Sequence, residues 1–574
     1  PGFILEKFKI FKEEFYDGLS FLAVNLFIPA LIIDCMQTDY SPELIGDLGK
    51  TFVLWLPMLV FAAVISFAFT KYFKYDGDPF GCIEYGYIPD HIQSHFIVCR
   101  NSLVKSKDFH DYWDHMPMIH NYSEAIGKHE AIFTKHFADM GYKWDVSVNV
   151  DELRNYSGYP LMMCPTKLIK EYRCPIFKRR SFFHDKDDYL RNTTGESVTE
   201  LYNYIKNETD YNEDFIWEAI LRDYHQSDIV KNMNLTYIMP SKVKYQNTFK
   251  SKIALVIHLY FPDLLEENKH YIESMPKDAD IYITTNTQEK KQAIEEAYKD
   301  LQYNHLEVRI IENRGRDVSS LLVGVKDVIM NYDLVCFAHD KKTAQVKPGT
   351  SGASFAYKCF ENTLSNNNYV ENIISTFEQN PRLGLLTPPE PNHDAFFPTC
   401  GFEWGPNFDN TKKLADELGL TVPMSAYKSP VAPLGTMFWF RPKAMQPLYA
   451  KDWEYNDFPP EPNGIDGSLL HAIERIYPFI VQQAGYYPAV AMTEEFAAIE
   501  YQNLHHYVQG YNRVMVGNGV GPYYKQMMGE MNYIMVMQHS CKYLIKKLIK
   551  NILKKIFPLS FLKAVKKKVK KEDK

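Results

Sequence analysis

The chain has 574 residues, with 64 Lys and Arg against 71 Asp and Glu and a net charge of −7. That length exceeds what one hydrophobic core holds, so the reading starts from roughly two or three domains. A hydrophobic content of 46% is that of a folded globular chain, and the acidic balance excludes a general nucleic-acid binder.

Residues 1–72 are the most apolar stretch. Phe52–Thr70 is an uncharged run of nearly the length that spans a bilayer, although Pro57 and its β-branched residues read equally as buried strands. No secretory leader pattern precedes it. From residue 73 the sequence returns to ordinary globular composition. Asp78–Gly81 predicts a turn and His91–Val98 a strand. Ser106–Met116 reads as a serine-capped helix, and Ala125–Met140 as a second, amphipathic one carrying His129 and Glu130. Residues 151–250 read as a helical connector, with helices over Glu196–Asn207 and Glu213–Ser227 and a basic-aromatic cluster at Cys174–Phe183. Nine scattered cysteines form no CxxC pair, and Cys164 and Cys174 have no histidine pattern around them. This argues against a zinc site and for a reducing cytoplasm.

Residues 251–515 alternate strand and helix. Lys252–Phe261, Ala279–Thr284 and Leu306–Ile311 read as strands, with helices over Leu264–Met275 and Gln288–Leu301 between them. This alternation predicts a parallel sheet. The centre of the reading is Ile310–Thr343. The loop Glu312-Asn313-Arg314-Gly315-Arg316-Asp317 ends one strand, Val318–Met330 has helical spacing, and the apolar strand Leu334–Ala338 ends on His339-Asp340-Lys341-Lys342. Ligands of open α/β sheets sit beyond the carboxyl ends of the strands. Two charged loops on adjacent parallel strands therefore predict one pocket for a phosphorylated ligand, with arginine for phosphate and aspartate for a metal or a sugar hydroxyl. Further on, Leu434–Pro442 predicts a strand opened by glycine. Gly464–Arg475 predicts a loop leading into a helix with Asp466 at its mouth. In the tail, residues 516–574, Leu544, Ile545, Leu548 and Ile552 repeat at helical spacing against Lys542, Lys546, Lys547 and Lys550. Further lysines follow to Lys574. Such a face suits an anionic membrane surface.

The stretches Ala254–Phe261, Asp280–Thr285, Asn313–Asp317, His339–Lys342 and Gly435–Pro442, with His91–Phe96 and Cys174–Arg180 earlier, resemble the rhamnan synthesis protein F family across roughly residues 73–515. The resemblance implies an α/β fold: a GT-A-like, Rossmann-type nucleotide-sugar transferase domain behind a partial or degenerate GT-A-like module at 73–150. It implies a bacterial rhamnosyltransferase of cell-wall or capsule assembly. Such an enzyme moves a hexosyl group with inversion from a nucleotide-diphosphate donor such as dTDP-rhamnose to a lipid-linked glycan acceptor at the inner membrane face. In that frame His258, Asn313, Arg314, Arg316, Asp317, His339, Lys341 and Lys342 are the expected donor contacts. Asp340 is the expected ligand of a divalent metal, Mg²⁺ or Mn²⁺, and Asp466 the general base, with Glu494 and Glu495 as alternatives. The nucleotide-binding half of the first module is missing upstream of Tyr75, which leaves a non-catalytic glycan-binding scaffold as the competing expectation.

Overall fold

The computed structural model describes residues 90–517, except 154, 184–185, 247–248, 343–345 and 465. The apolar run at 52–70 and the lysine-rich stretch Lys542–Lys574 lie outside the described residues. Among the described residues no helix is long and apolar enough to cross a membrane. The chain divides into two compact units, residues 1–147 and 148–574.

In the first unit, α1 (Lys107–Asp114) and α2 (Ala131–Asp139) are joined through ring contacts. The Ser106 hydroxyl accepts the Phe109 N–H and caps α1, as the sequence predicts. Tyr112 meets Phe133 edge-on at 5.4 Å, and Phe133 meets Phe137 at 5.0 Å. His91–Val98 is not a strand. It contains a turn, and Phe96 and Val98 are exposed. Such a stretch becomes a strand only beside a partner strand, and none is present among the described residues of this unit.

The second unit is built on one eight-stranded sheet. In chain order its main elements are α3 (Glu196–Glu208), α4 (Asp214–Asp223), α5 (Gln226–Asn232), β1 (Thr236–Met239), β2 (Ile253–His258), α6 (Leu265–Glu273), β3 (Asp280–Thr285), α7 (Gln288–Ala297), β4 (His305–Ile310), β5 (Leu334–His339), α8 (Gly349–Leu364), α9 (Asn367–Gln379), β6 (Leu383–Thr387), β7 (Phe438–Phe440), α10 (Leu469–Gln483), β8 (Tyr487–Thr493) and α11 (Glu494–Gly517). The strand order is β1-β8-β6-β7-β5-β2-β3-β4. Every neighbouring pair is parallel except those made by β7, which runs against both β5 and β6.

Side chains alternate across the sheet, so each apolar strand serves two cores. Leu255 and Ile257 of β2 join Ile281, Ile283 and Cys336 on one face, together with Leu201, Trp217 and Ile229 from α3, α4 and α5. Ala254 and Val256 join Tyr282, Val335 and Phe337 on the other, against Ile473, Ile476 and Ile480 of α10. This explains why β2, β3, β5 and β6 read as unbroken buried runs.

Three sequence expectations change here. The stretch 151–250 is more than a connector: its helices share a core with the sheet, and β1 extends the sheet beside β8. The helix expected over Glu213–Ser227 breaks at Tyr224, because His225 is extended and its ring nitrogen accepts the Ser227 N–H to start α5. Most consequentially, β4 and β5 are not adjacent. β2 and β3 lie between them, and β4 pairs only with β3. Periodicity identifies strands but carries no information on their order.

Ile257 is fully buried between the β3 and β5 backbones. Replacing it with alanine should cost about 2–5 kcal/mol. Equilibrium urea unfolding of the variant beside the parent chain measures this.

Candidate functional site

All the parallel strands end at one edge of the sheet. Because β7 runs the other way, its leading residues Gly435–Met437 reach that edge too. Gly435 has φ 102° and Thr436 φ 55°, and this bend confines the strand to Phe438–Phe440 instead of the predicted Leu434–Pro442.

At the centre of the edge, β2 and β5 finish side by side, with His258 paired to His339. The Asp340 carboxylate crosses between them: its Oδ2 accepts the backbone N–H of Tyr260 at 2.8 Å and of Phe261 at 2.6 Å. The Asp340 N–H in turn donates to the His258 carbonyl. Burial pushes the Asp340 carboxyl above its ordinary range, against the two N–H donors and the nearby His339 and Lys290. Its Oδ1 has no hydrogen-bond partner among the described residues. His339 is held between two carbonyls, those of Asp340 and Gly435, each 2.8 Å from a ring nitrogen.

His258 starts a buried polar chain. Its Nδ1 is 2.8 Å from the Thr284 hydroxyl at the end of β3, and that hydroxyl is 2.7 Å from the Ser320 hydroxyl in the helical segment after β4. These side-chain links bring the β4 side to the centre although β4 is three strands from β5. Asp317 lies within electrostatic reach of His258 and Tyr477, and its Oδ2 is enclosed with no hydrogen-bond partner. Burial pushes the His258 imidazole down to about 4, against the pull of Asp317.

The two arginines point elsewhere. Arg314 donates from Nε to the Phe458 carbonyl and from its terminal nitrogens to Asn456, so its guanidinium is committed to the 456–458 loop. Arg316 donates to the Asn463 carbonyl and pairs with Glu461 at 3.3 Å. Between them, Gly315 has φ 84°, and a Cβ there would fall 2.7 Å from the Phe458 ring, so only glycine fits. Asn313 is exposed on the same loop. The loop thus braces the 456–463 segment, which precedes Asp466 in the chain. Asp466 is itself exposed. Burial raises its carboxyl, but hydrogen bonds from the Asn407 amide and the Gly467 N–H, with Arg475 and His471 nearby, hold it below the ordinary range. It is an ionised carboxylate at neutral pH.

The cations near the centre are lysines. Lys342 pairs with Asp263, and its Nζ lies 4.8 Å from the centroid of Phe261. Lys341 lies 4.4 Å from the centroid of Phe355 and makes no ion pair among the described residues. Lys290, in the first turn of α7, sits 3.3 Å over the Tyr260 ring, donates to Asn286, and faces both Asp340 and His258. Sequence reasoning missed Lys290, Thr284 and Ser320. Their signal was positional, the end of β3 and the first turns of the following helices, with no charge cluster to mark it. A cavity of about 480 Å³ lined by Lys250, Asp333, Glu378 and Arg441 opens at the opposite edge, where β2 and β5 begin, and contains none of these groups.

A mostly parallel eight-stranded sheet with a packed core on each face defines an α/β protein. Residues 65–486 match the rhamnan synthesis protein F family, and the chain belongs to it. It is also similar to the uncharacterised protein WxcX from two strains of Xanthomonas campestris pv. campestris. Each is 29% identical over 238 residues, which is 41% of this chain and 32% of the relative. The matched part therefore spans about a third of the length of those relatives.

The buried neutral His258 makes stability depend on pH. Its folded value of about 4 lies below the unfolded value of about 6.5, so the unfolded chain takes up the proton first as pH falls. Its stabilising contribution is complete above pH ~6.5 and is lost as pH falls toward ~4, a change on the order of 3 kcal/mol. His225, also pushed to about 4 by burial, acts in the same direction. The unfolding free energy of His258→Gln should fall about half as steeply between these pH values as that of the parent chain.

Proposed function

We propose that the sheet unit is a GT-A-type glycosyltransferase of polysaccharide biosynthesis. It transfers rhamnose from a nucleotide-diphosphate donor such as dTDP-rhamnose to a lipid-linked glycan at the cytoplasmic membrane face. The observation that carries this reading is the fixed Asp340 carboxylate, with one oxygen unengaged, beside Lys290 and the His258–Thr284–Ser320 chain at the carboxyl edge of the sheet. Membership of the rhamnan synthesis protein F family supports it.

In this reading Lys290, Lys341 and Lys342 face the diphosphate, and cations there stabilise the charge that develops on the leaving group. Lys290 is partly desolvated: burial lowers its ammonium, with Asp340 opposing. A cation in such a place acts more strongly than one in water. His339 and Asn313 line the donor side, and the enclosed His258 and Asp317 stand behind them, in electrostatic contact with each other. Arg314 and Arg316 serve by holding the 456–463 loop, and with it the Asp466 loop, against the site. Should the donor bring a divalent ion, Asp340 Oδ1 is the protein atom suited to meet it, since Mg²⁺ is content with one carboxylate plus phosphates. That ion would neutralise diphosphate charge.

Asp466 accepts the proton of the acceptor hydroxyl. The acceptor oxygen forms its bond to the anomeric carbon as the bond from that carbon to the diphosphate oxygen breaks. The nucleoside diphosphate leaves, and the configuration inverts. The low basicity of Asp466 suits late proton transfer, when the acceptor oxygen has already acidified by bonding to carbon.

Asp466→Asn should retain donor binding and lose about 10²–10⁴-fold in transfer. Lys290→Gln should weaken donor binding about tenfold, as loss of one charge-assisted contact does. Incorporation of labelled sugar into membrane glycan, paired with calorimetry of donor binding, reads both. Donor binding by the parent chain with no incorporation would support the scaffold reading instead.

A further inference from the structure

The loop between β6 and β7 carries a group of side chains that the proposed transfer does not use. Glu390, Cys400 and Glu403 each offer one ligand atom, and the three atoms lie within 4.8 Å of one another. Cys400 Sγ is 3.8 Å from Glu390 Oε1. Glu403 is only 7% exposed. One of its oxygens accepts the Gly401 N–H at 2.8 Å, while Oε2 is sealed from solvent with no hydrogen-bond partner. A buried carboxylate oxygen without a donor is costly.

Nearby cations do not pair with this group. Arg475 donates to the Glu403 backbone carbonyl, and the buried Lys358 donates to the Pro389 carbonyl. Glu500 is taken up by Asn392 and His393. Neither Glu390 nor Glu403 has an ion pair among the described residues. What the group lacks is positive charge at its centre.

We propose that Glu390, Cys400 and Glu403 bind a divalent transition-metal cation of the zinc class. The thiolate selects such an ion over Mg²⁺ and Ca²⁺, which take oxygen ligands. From ordinary zinc bond lengths, a tetrahedral sulfur-to-oxygen edge is about 3.5 Å, so the Cys400–Glu390 pair is already near it. Three protein ligands leave one position open. Binding breaks the Cys400 S–H bond, forms the sulfur–metal bond and releases one proton to solvent. The ion ties Glu390, just after β6, to the far limb of the loop at Cys400 and Glu403. It fixes the loop beside Phe355, whose ring packs on Phe396 and faces Lys341.

The test uses the full chain stripped with chelator, and its readout is metal binding, so it stands apart from any result on sugar transfer. Titration with Co²⁺ should give one ion per chain and a thiolate-to-cobalt charge-transfer band that Zn²⁺ displaces. Cys400→Ser should abolish the band, and Glu403→Gln should weaken binding about tenfold or more. In the unsubstituted protein, Zn²⁺ should slow alkylation of Cys400, read by peptide mapping, by at least about tenfold. Equal alkylation of Cys400 with and without Zn²⁺, or a cobalt band that survives in Cys400→Ser, overturns the proposal.

Discussion

The sheet unit depends on a single carboxylate at the junction of its two central strands. Asp340 Oδ2 receives two successive backbone N–H groups from the turn after β2. That contact ties the turn after β2 to the end of β5. Two N–H donors hold the side chain in one orientation, and the burial that makes the carboxyl less acidic also keeps water from competing for those donors. The remaining oxygen is presented without reorganisation, the condition under which fixed charges act most strongly on a bound ligand.

Around this junction the site is assembled from parts with different tolerances. The His258–Thr284–Ser320 chain is enclosed and links β2, β3 and the helical segment after β4. Each member is satisfied only by the next, so the chain transmits position more than charge. The arginine loop works in the outward direction: Arg314 and Arg316 grip carbonyls and an amide of the 456–463 segment. The lysines near the junction are stacked on aromatic rings, Lys290 on Tyr260 and Lys341 on Phe355. A flat ring lets a lysine keep part of its solvation while fixing its direction.

Much of the fold was legible in the sequence because burial on both faces imposes apolar runs, which mark β2 and β5, while the alternation of strand and helix places β3 between them in the chain. The loops at Glu312–Asp317 and His339–Lys342 were recognised because charge ends those runs abruptly. What was not legible was lateral order. Nothing in the spacing of Leu306–Ile311 or Leu334–Ala338 says that two other strands intervene. Nor does an arginine reveal in sequence whether its partner is a ligand or a carbonyl more than 140 residues further on. Lys290 escaped notice for the converse reason: it belongs to an ordinary amphipathic helix and gains its place only from the ring beneath it. Glu390, Cys400 and Glu403 follow no ligand spacing and meet only because the loop after β6 folds back on itself. The predicted strand at His91–Val98 has no neighbouring strand to pair with among the described residues of its unit.

The reversed direction of β7 has an architectural result. β6 leaves the sheet at its carboxyl edge, and β7 returns from the same edge, so both ends of the span Pro388–Met437 lie on one rim, while its middle packs Trp404, Leu414 and Ala415 into the core beside α10. Its length is not tied to the thickness of the sheet, as a crossover helix would be. The parts of that span outside the core can change in length without moving a rung of the ladder beneath. The sheet can therefore remain constant while the mouth above it diversifies.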